Sequence, residues 1–416
     1  MSAGEIQTAA SDPASAASGA PPRAHRPSTL RALIGNTLLV LVSIAIMVLA
    51  GEIFLRSVPR LQAQTGEGDF LFCTDSTIRH RSHPAYGYGE VPGGSYFERY
   101  NPADSWTYIH INEAGFRDNY ESGGSPVLIL GDSSTRGSLV NEDATFANRL
   151  DKWQPRWSFR NLGVGGFGQA NSLRLYDDIA PTTPHRLVIQ QYSLGTDLDD
   201  NAERAVLDGD GVRITIQPQN QARNSRPSLP VRIHKLLWEH SKLYAWFYTI
   251  AIRPHFENWD ARGNIDGSLE VTRRLLVQLA ERARANQADL LLLVLPAWAE
   301  MAGRSDGMEP ARQRAMLEAF AAQTPGVYLL DMSPIVAVEP TDKTFGVVDK
   351  HMNDYGHFLI AQAVERWMTT QWPHGPRTGA PPRTYHAAPA TIPDCAQADA
   401  YLALARQPPS PRDPER

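Results

Sequence analysis

From Pro126 onward, short apolar runs alternate with stretches of helical apolar spacing, and this rhythm leaves very few folds open. Val127 to Leu130 is a short apolar run that suits a strand buried on both faces, and Phe146 to Trp153 follows with helical spacing. Trp157 to Leu162 reads as a second strand, ending in the glycine-rich run Gly163 to Gly168, and Ala170 to Ile179 reads as a helix. Leu187 to Tyr192 is a third strand. The amphipathic Val271 to Asn286, the very apolar Leu290 to Leu295, the helical Ala311 to Ala322, the strand Val327 to Leu330 and the helix Tyr355 to Thr370 complete the series. Strands alternating with helices predict an α/β sandwich on a parallel sheet, with its ligand site at the carboxyl ends of the strands. Two segments break the rhythm. Residues 56 to 125, rich in Tyr, Gly and Pro, are expected to form an irregular β-containing lead-in. Residues 201 to 262 form an insertion, read as a polar loop and then an aromatic-rich helical stretch from Ile233 to Ile252. That stretch reads as an extra layer of core, with a substrate-covering cap or a surface near a bilayer as the alternatives.

Between Arg31 and Glu52 there is no charged side chain. At a helical rise of about 1.5 Å, Ala32 to Gly51 spans roughly 30 Å, the thickness of a bilayer core, so residues 31 to 55 are predicted to form a transmembrane helix. A buried core helix would normally keep a polar stripe. A cleaved signal peptide is the closer rival, because Val48-Leu49-Ala50 is acceptable before a cleavage point, although the polar lead of about thirty residues is long for one. Arg23, Arg26 and Arg31 precede the span while Arg56 and Arg60 follow it, which leans toward a cytoplasmic N-terminus and an extracytoplasmic remainder. Residues 1 to 30 have little to bury, and ten of the 31 prolines fall in residues 373 to 416, so both ends are expected to be disordered apart from a short helix around Ala396 to Arg406. With 40 Lys plus Arg against 45 Asp plus Glu, there is no basic field to attract nucleic acid. Two cysteines, Cys73 and Cys395, exclude CxxC-type zinc and iron-sulfur sites, and could pair only in an oxidising compartment.

Several strand ends carry residues that an apolar core does not need. Gly131-Asp132-Ser133 follows the first strand, where a serine on a tight strand-to-helix turn exposes its hydroxyl and offers its own backbone N-H. Asn161 to Gly168 follows the second; it lacks the lysine of a phosphate loop and a clean GxGxxG, and glycines there let backbone N-H groups approach an anionic oxygen. Gly195 to Asn201 follows the third and reads otherwise as a solvated acidic loop, without the spacing of a calcium loop. Asp349-Lys-His351 precedes the last helix, and a carboxylate beside an imidazole can hold one tautomer and stabilise the imidazolium formed when the histidine takes a serine proton. His357 is read as structural, and a His351/His357 metal pair lacks a third ligand.

In this order, GDS, NxGxxGxG, GxD and DxH, the chain resembles the SGNH (GDSL-type) hydrolases over residues 126 to 372. Tyr86-Gly-Tyr88 and Asn112-Glu-Ala-Gly-Phe-Arg117 also resemble the lead-in of membrane-anchored bacterial members. The resemblance implies a three-layer α/β/α, flavodoxin-like sandwich and no metal or organic cofactor. It assigns Ser133 as nucleophile and first oxyanion donor, Gly166 as second donor, His351 as base and Asp349 as its orienting carboxylate. Two positions depart from the family. Thr196 stands where an asparagine normally supplies the third oxyanion donor, and one residue rather than two separates Asp349 from His351. The expected activity is that of an anchored extracytoplasmic, periplasmic-side esterase of the inner membrane, removing small acyl groups such as acetyl from a cell-envelope or exported carbohydrate or from another small ester. An O-acyltransferase on the same site and an inactive binding or assembly module are the alternatives.

Overall fold

The apolar runs become strands of one parallel sheet because their side chains are buried, on both faces at residues 127–130, 187–192 and 290–295 and in part at the edge strand Val327–Asp331. The computed structural model describes residues 29–57, 71–72, 80–99, 107–118, 124–216, 233, 236–237, 241–248, 251, 264–304, 307–346, 350–375 and 384. The chain divides into two compact units, residues 1–54 and 55–416. In the first lies most of helix α1 (Thr29–Ser57), whose segment Leu33–Ser57 has a mean hydropathy of 2.7 and is long and apolar enough to cross a membrane.

The second unit begins with β1 (Leu71–Phe72), β2 (His80–His83), β3 (Gly87–Glu90), β4 (Ser95–Arg99) and β5 (Thr107–His110). Strands β1, β4 and β5 form a small antiparallel sheet, and β2 pairs with β3. The α/β series follows: β6 (Ser125–Leu130), α2 (Ser133–Arg136), α3 (Phe146–Trp153), β7 (Trp157–Asn161), α4 (Gln169–Ile179), β8 (Leu187–Ser193) and α5 (Asp197–Arg204). Next come the pair β9 (Ala205–Asp208) and β10 (Gly211–Ile214), then α6 (Ile265–Ala285), β11 (Asp289–Leu295), α7 (Pro310–Gln323), β12 (Val327–Asp331) and α8 (Asp354–Thr370).

Five strands form the central parallel sheet in the order β12-β11-β8-β6-β7. Alternate residues divide the core. Val127, Ile129, Leu187, Ile189, Leu291 and Leu293 face the side covered by α3 and α8, while Leu128, Leu130, Val188, Leu290 and Leu292 face α4, α6 and α7. The result is the α/β/α sandwich. The chain leaves β6 toward β7 on one side and returns through β8 on the other, so the carboxyl ends of β6 and β8 border the crevice where open α/β sheets bind ligands.

Three readings are corrected. The alternative of a solvated acidic loop at Gly195 to Asn201 does not hold, because the segment is helical from Asp197 and the Asp197, Leu198 and Asn201 side chains are buried. Residues 205–214, near the start of the 201–262 insertion, form a β-hairpin rather than a polar loop; Gly209-Asp210 is its two-residue turn, with Gly209 at φ +57°, between the apolar pairs Val206-Leu207 and Val212/Ile214. Among the described residues of the aromatic stretch, Ile233, Leu236, Leu237 and Phe247 are exposed, so these side chains do not add the expected layer of core. Cys73, Cys395, nearly all of residues 1 to 30, and Ala396 to Arg406 lie outside the described residues.

Leu292 sits fully buried on the inner strand β11. Leu292→Ala is expected to cost about 2–5 kcal/mol of stability, seen in urea unfolding as a lower midpoint at unchanged slope.

Candidate active site

Polar residues at the carboxyl ends of β6 and β8 have no place in the core and converge above it. Asp132 follows β6 and caps α2, its carboxylate accepting from Ser134 N at 2.7 Å, while its own N-H donates to Gln191 Oε1 on β8 at 3.0 Å. The turn is tight enough that a Cβ on Gly131 would collide with Thr135 Oγ1 and Gln191 Oε1. This geometry sets Ser133 at the first position of α2.

His351, 218 positions later, meets it: Ser133 Oγ lies 2.7 Å from His351 Nε2. The histidine loop is pinned on both sides. Gly346 N donates to His351 O at 2.8 Å, Phe345 bridges Met352, and Asn353 caps α8 through Gly356 N at 3.1 Å. A neutral imidazole with its lone pair on Nε2 can take the Ser133 proton at this distance. Asp349 lies outside the described residues.

Thr196 is exposed at the start of α5 and lines an open cleft of about 490 Å3 together with Ser133 and His351. Trp298 and Lys350 form another wall, the Lys350 ammonium 4.8 Å from the Trp298 ring centre. Gly166 lies in the loop after β7 at φ +77°, a conformation that favours glycine. This loop lies against the serine turn, since a Cβ on Gly165 would stand 4.0 Å from Ser133 Cβ.

His357 does not face the site. It is buried on α8, and its Nδ1 accepts from Phe146 N at 3.1 Å, so it caps α3. Burial, reinforced by the positive fields of Arg149, Arg117 and His351, holds this imidazole down at about 3.

The sequence left three groups of neighbours without a stated role, Asp197 among them although it closes the GxD motif. Asp197, buried beneath the cleft, accepts from Gln169 Nε2 at 2.6 Å and Ser193 N at 2.9 Å. Burial pushes its carboxyl well above the usual range, with Asp132 and Asp200 adding negative field, and burial also raises Asp132. The polar pair Gln190-Gln191 inside an otherwise apolar strand was the available signal. Arg136 is buried on α2 against Glu90 at 2.6 Å and Glu98 at 3.0 Å. Tyr88 donates its hydroxyl to Gly165 O at 2.9 Å; it stood within the Tyr86-Gly-Tyr88 motif, but only as part of a resemblance.

No protein-family model matches the chain, and no curated protein does. Among solved structures, a member of the lipolytic protein G-D-S-L family from Veillonella parvula DSM 2008 is similar at 14% identity and a TM-score of 0.38, covering 59% of this chain and 100% of that one. An acetyl xylan esterase, AlAXEase, is similar at 12% identity and a TM-score of 0.37, over 57% of this chain and 97% of its own. A two-domain esterase active on acetylated mannans is similar at 14% identity and a TM-score of 0.35, over 62% of this chain and 53% of its own.

The buried His357 generates a pH prediction. Its folded value of about 3 lies below the ordinary 6.5, so the unfolded chain binds the proton first. Stability is therefore complete above pH ~6.5 and falls as pH drops from there toward ~3. His357→Asn keeps an acceptor for Phe146 N-H and removes the titration; the acid limb of a Tm-versus-pH curve is expected to flatten in that window.

Proposed function

We propose that this chain is a serine esterase of the SGNH type, and the observation that carries the proposal is the 2.7 Å approach of Ser133 Oγ to His351 Nε2 at the edge of an open cleft. Ser133 Oγ attacks the ester carbonyl as its proton passes to His351 Nε2, forming a tetrahedral oxyanion. The backbone N-H groups of Ser133 and Gly166 and the Thr196 hydroxyl receive that oxyanion. Collapse breaks the bond to the alcohol, which leaves with the proton from His351. Water then attacks the acyl-enzyme, giving its proton to His351, and the acid departs as Ser133 is reprotonated. Asp349, two positions before the base, orients its Nδ1-H.

These steps use only side chains and backbone groups of the chain itself. The substrate class we assign is a small acyl ester, acetyl foremost, on a cell-envelope carbohydrate. The apolar helix α1 anchors the enzyme in the inner membrane with the hydrolase domain, residues 126 to 372, on the extracytoplasmic side. The boundaries of the lead-in at 56–125 and of the tail at 373–416 belong to the same proposal.

Thr196 departs from the asparagine that the family resemblance implies at this position. A hydroxyl is shorter than an asparagine amide and donates once, so the oxyanion is held less well and turnover is slow. An acyltransferase would share every step up to the acyl-enzyme and deliver the acyl group to a sugar hydroxyl in place of water. Product analysis separates the two: free acid alone, or acylated acceptor.

The test uses the full chain in detergent, labelled with a serine-directed fluorophosphonate and assayed with p-nitrophenyl acetate. Wild type is expected to label and turn over, Ser133→Ala to lose both, and His351→Ala to lose about 10³-fold or more in kcat. A folded wild type that neither labels nor turns over would overturn the esterase reading in favour of a binding module. Thr196→Asn is expected to raise kcat by about tenfold or more, through a stronger third donor.

A further inference from the structure

We propose that Tyr88, contributed by the lead-in strand β3, is the positioning residue that orients the oxyanion donor of Gly166. The proposal rests on the esterase reading for its catalytic consequence and on geometry for the rest. Val164 to Phe167 make a four-residue turn closed by Phe167 N donating to Val164 O at 3.1 Å. Gly166 is its third residue and has φ +77°, the mark of a type II turn. Type I and type II turns differ chiefly in the direction of their central peptide, which here is Gly165–Gly166. A glycine pair accepts either direction without steric penalty, so the local sequence leaves the choice open.

The Tyr88 hydroxyl makes that choice. It donates to Gly165 O at 2.9 Å. A trans peptide is planar, with its C=O and N-H pointing in opposite directions. Whatever holds the Gly165 carbonyl therefore aims the Gly166 N-H the other way. Donation to the carbonyl also polarises the peptide and makes its N-H a better donor.

Tyr88 is itself rigidly set. Its ring is buried and packs edge-on against Phe167, with centroids 5.2 Å apart and planes at 82°. Two residues along the same strand, and so on the same face, Glu90 grips Arg136 of the serine helix at 2.6 Å. One short strand thus holds both the helix that carries the nucleophile and the peptide beside it. A tyrosine present only for packing would work equally well as phenylalanine; a latch would not.

The experiment compares wild type and Tyr88→Phe as full chains in detergent micelles. Phenylalanine keeps the ring contact and removes the one O-H. The expected result is a fall of about 10- to 100-fold in kcat with KM unchanged, and an equal loss of affinity for a trifluoromethyl ketone that mimics the tetrahedral oxyanion. Tyr88→Phe and Gly166→Ala are expected to be strongly non-additive in kcat, because both act on one peptide. A folded Tyr88→Phe with kcat within twofold of wild type would overturn the proposal.

A second readout does not depend on catalysis. The chain has only three Gly–Gly peptides, Gly93–Gly94, Gly123–Gly124 and Gly165–Gly166, so carbonyl-13C and amide-15N glycine labelling gives three correlations. In Tyr88→Phe the Gly165–Gly166 correlation is expected to move and the other two to stay. If it does not move, the latch is wrong even where wild type is active. If wild type fails to label with fluorophosphonate while this correlation moves, the latch stands and the esterase reading fails.

Discussion

A guanidinium buried on the serine helix governs how this unit is put together. Taking an ion out of water costs several kcal/mol, and only well-placed opposite charges offset it. Arg136 is 2% exposed, and its partners Glu90 and Glu98, which lie on β3 and β4, are equally buried. The α/β sandwich cannot therefore complete its own serine helix without the lead-in. Arg117 adds to the bond from the same side, donating to the carbonyls of Arg136 and Gly137 at the end of the short helix and to that of Val140 beyond it. This charge network turns an irregular sequence segment into part of the site's framework.

With the helix fixed, the sheet topology supplies the rest. Because β6 sits between β7 and β8, the residues that leave β6 and β8 diverge around one crevice. Ser133 emerges from the first and Thr196 from the second. Beneath them, Asp132, Gln191 and Asp197 form a buried polar floor, in which backbone and amide donors partly satisfy carboxyls whose ionisation burial opposes. Such a floor rigidifies the turn that presents the serine. His351 arrives on a separate loop, held by bonds on both sides of it, so its approach to Ser133 reflects packing from the α8 face of the sheet.

Helix and strand positions were legible because their causes are local and periodic. The run Leu290 to Leu295 had no amphipathic face to expose, and β11 is indeed covered on both sides. The misreadings have equally physical causes. The acidic residues at the start of α5 look solvated in sequence, yet the helix dipole makes that position favourable, and burial of Asp197 depends on Gln169 from another element. The β9–β10 hairpin was hidden by its charged turn, although Gly209-Asp210 is itself a turn signal.

Sequence alone determined the strand-helix order, the chemistry available at the strand ends and the single apolar span, because each follows from side-chain type at short spacing. It also marked Ser133 and His351 as the candidate nucleophile and base by their residue types and motif context. Tertiary structure alone decided that those two atoms lie within hydrogen-bond distance across 218 positions, that His357 faces α3 instead of the cleft, and that a lead-in tyrosine reaches Gly165. The reason is that long-range contacts depend on which faces pack and how far apart the strands end, and no local pattern records those distances.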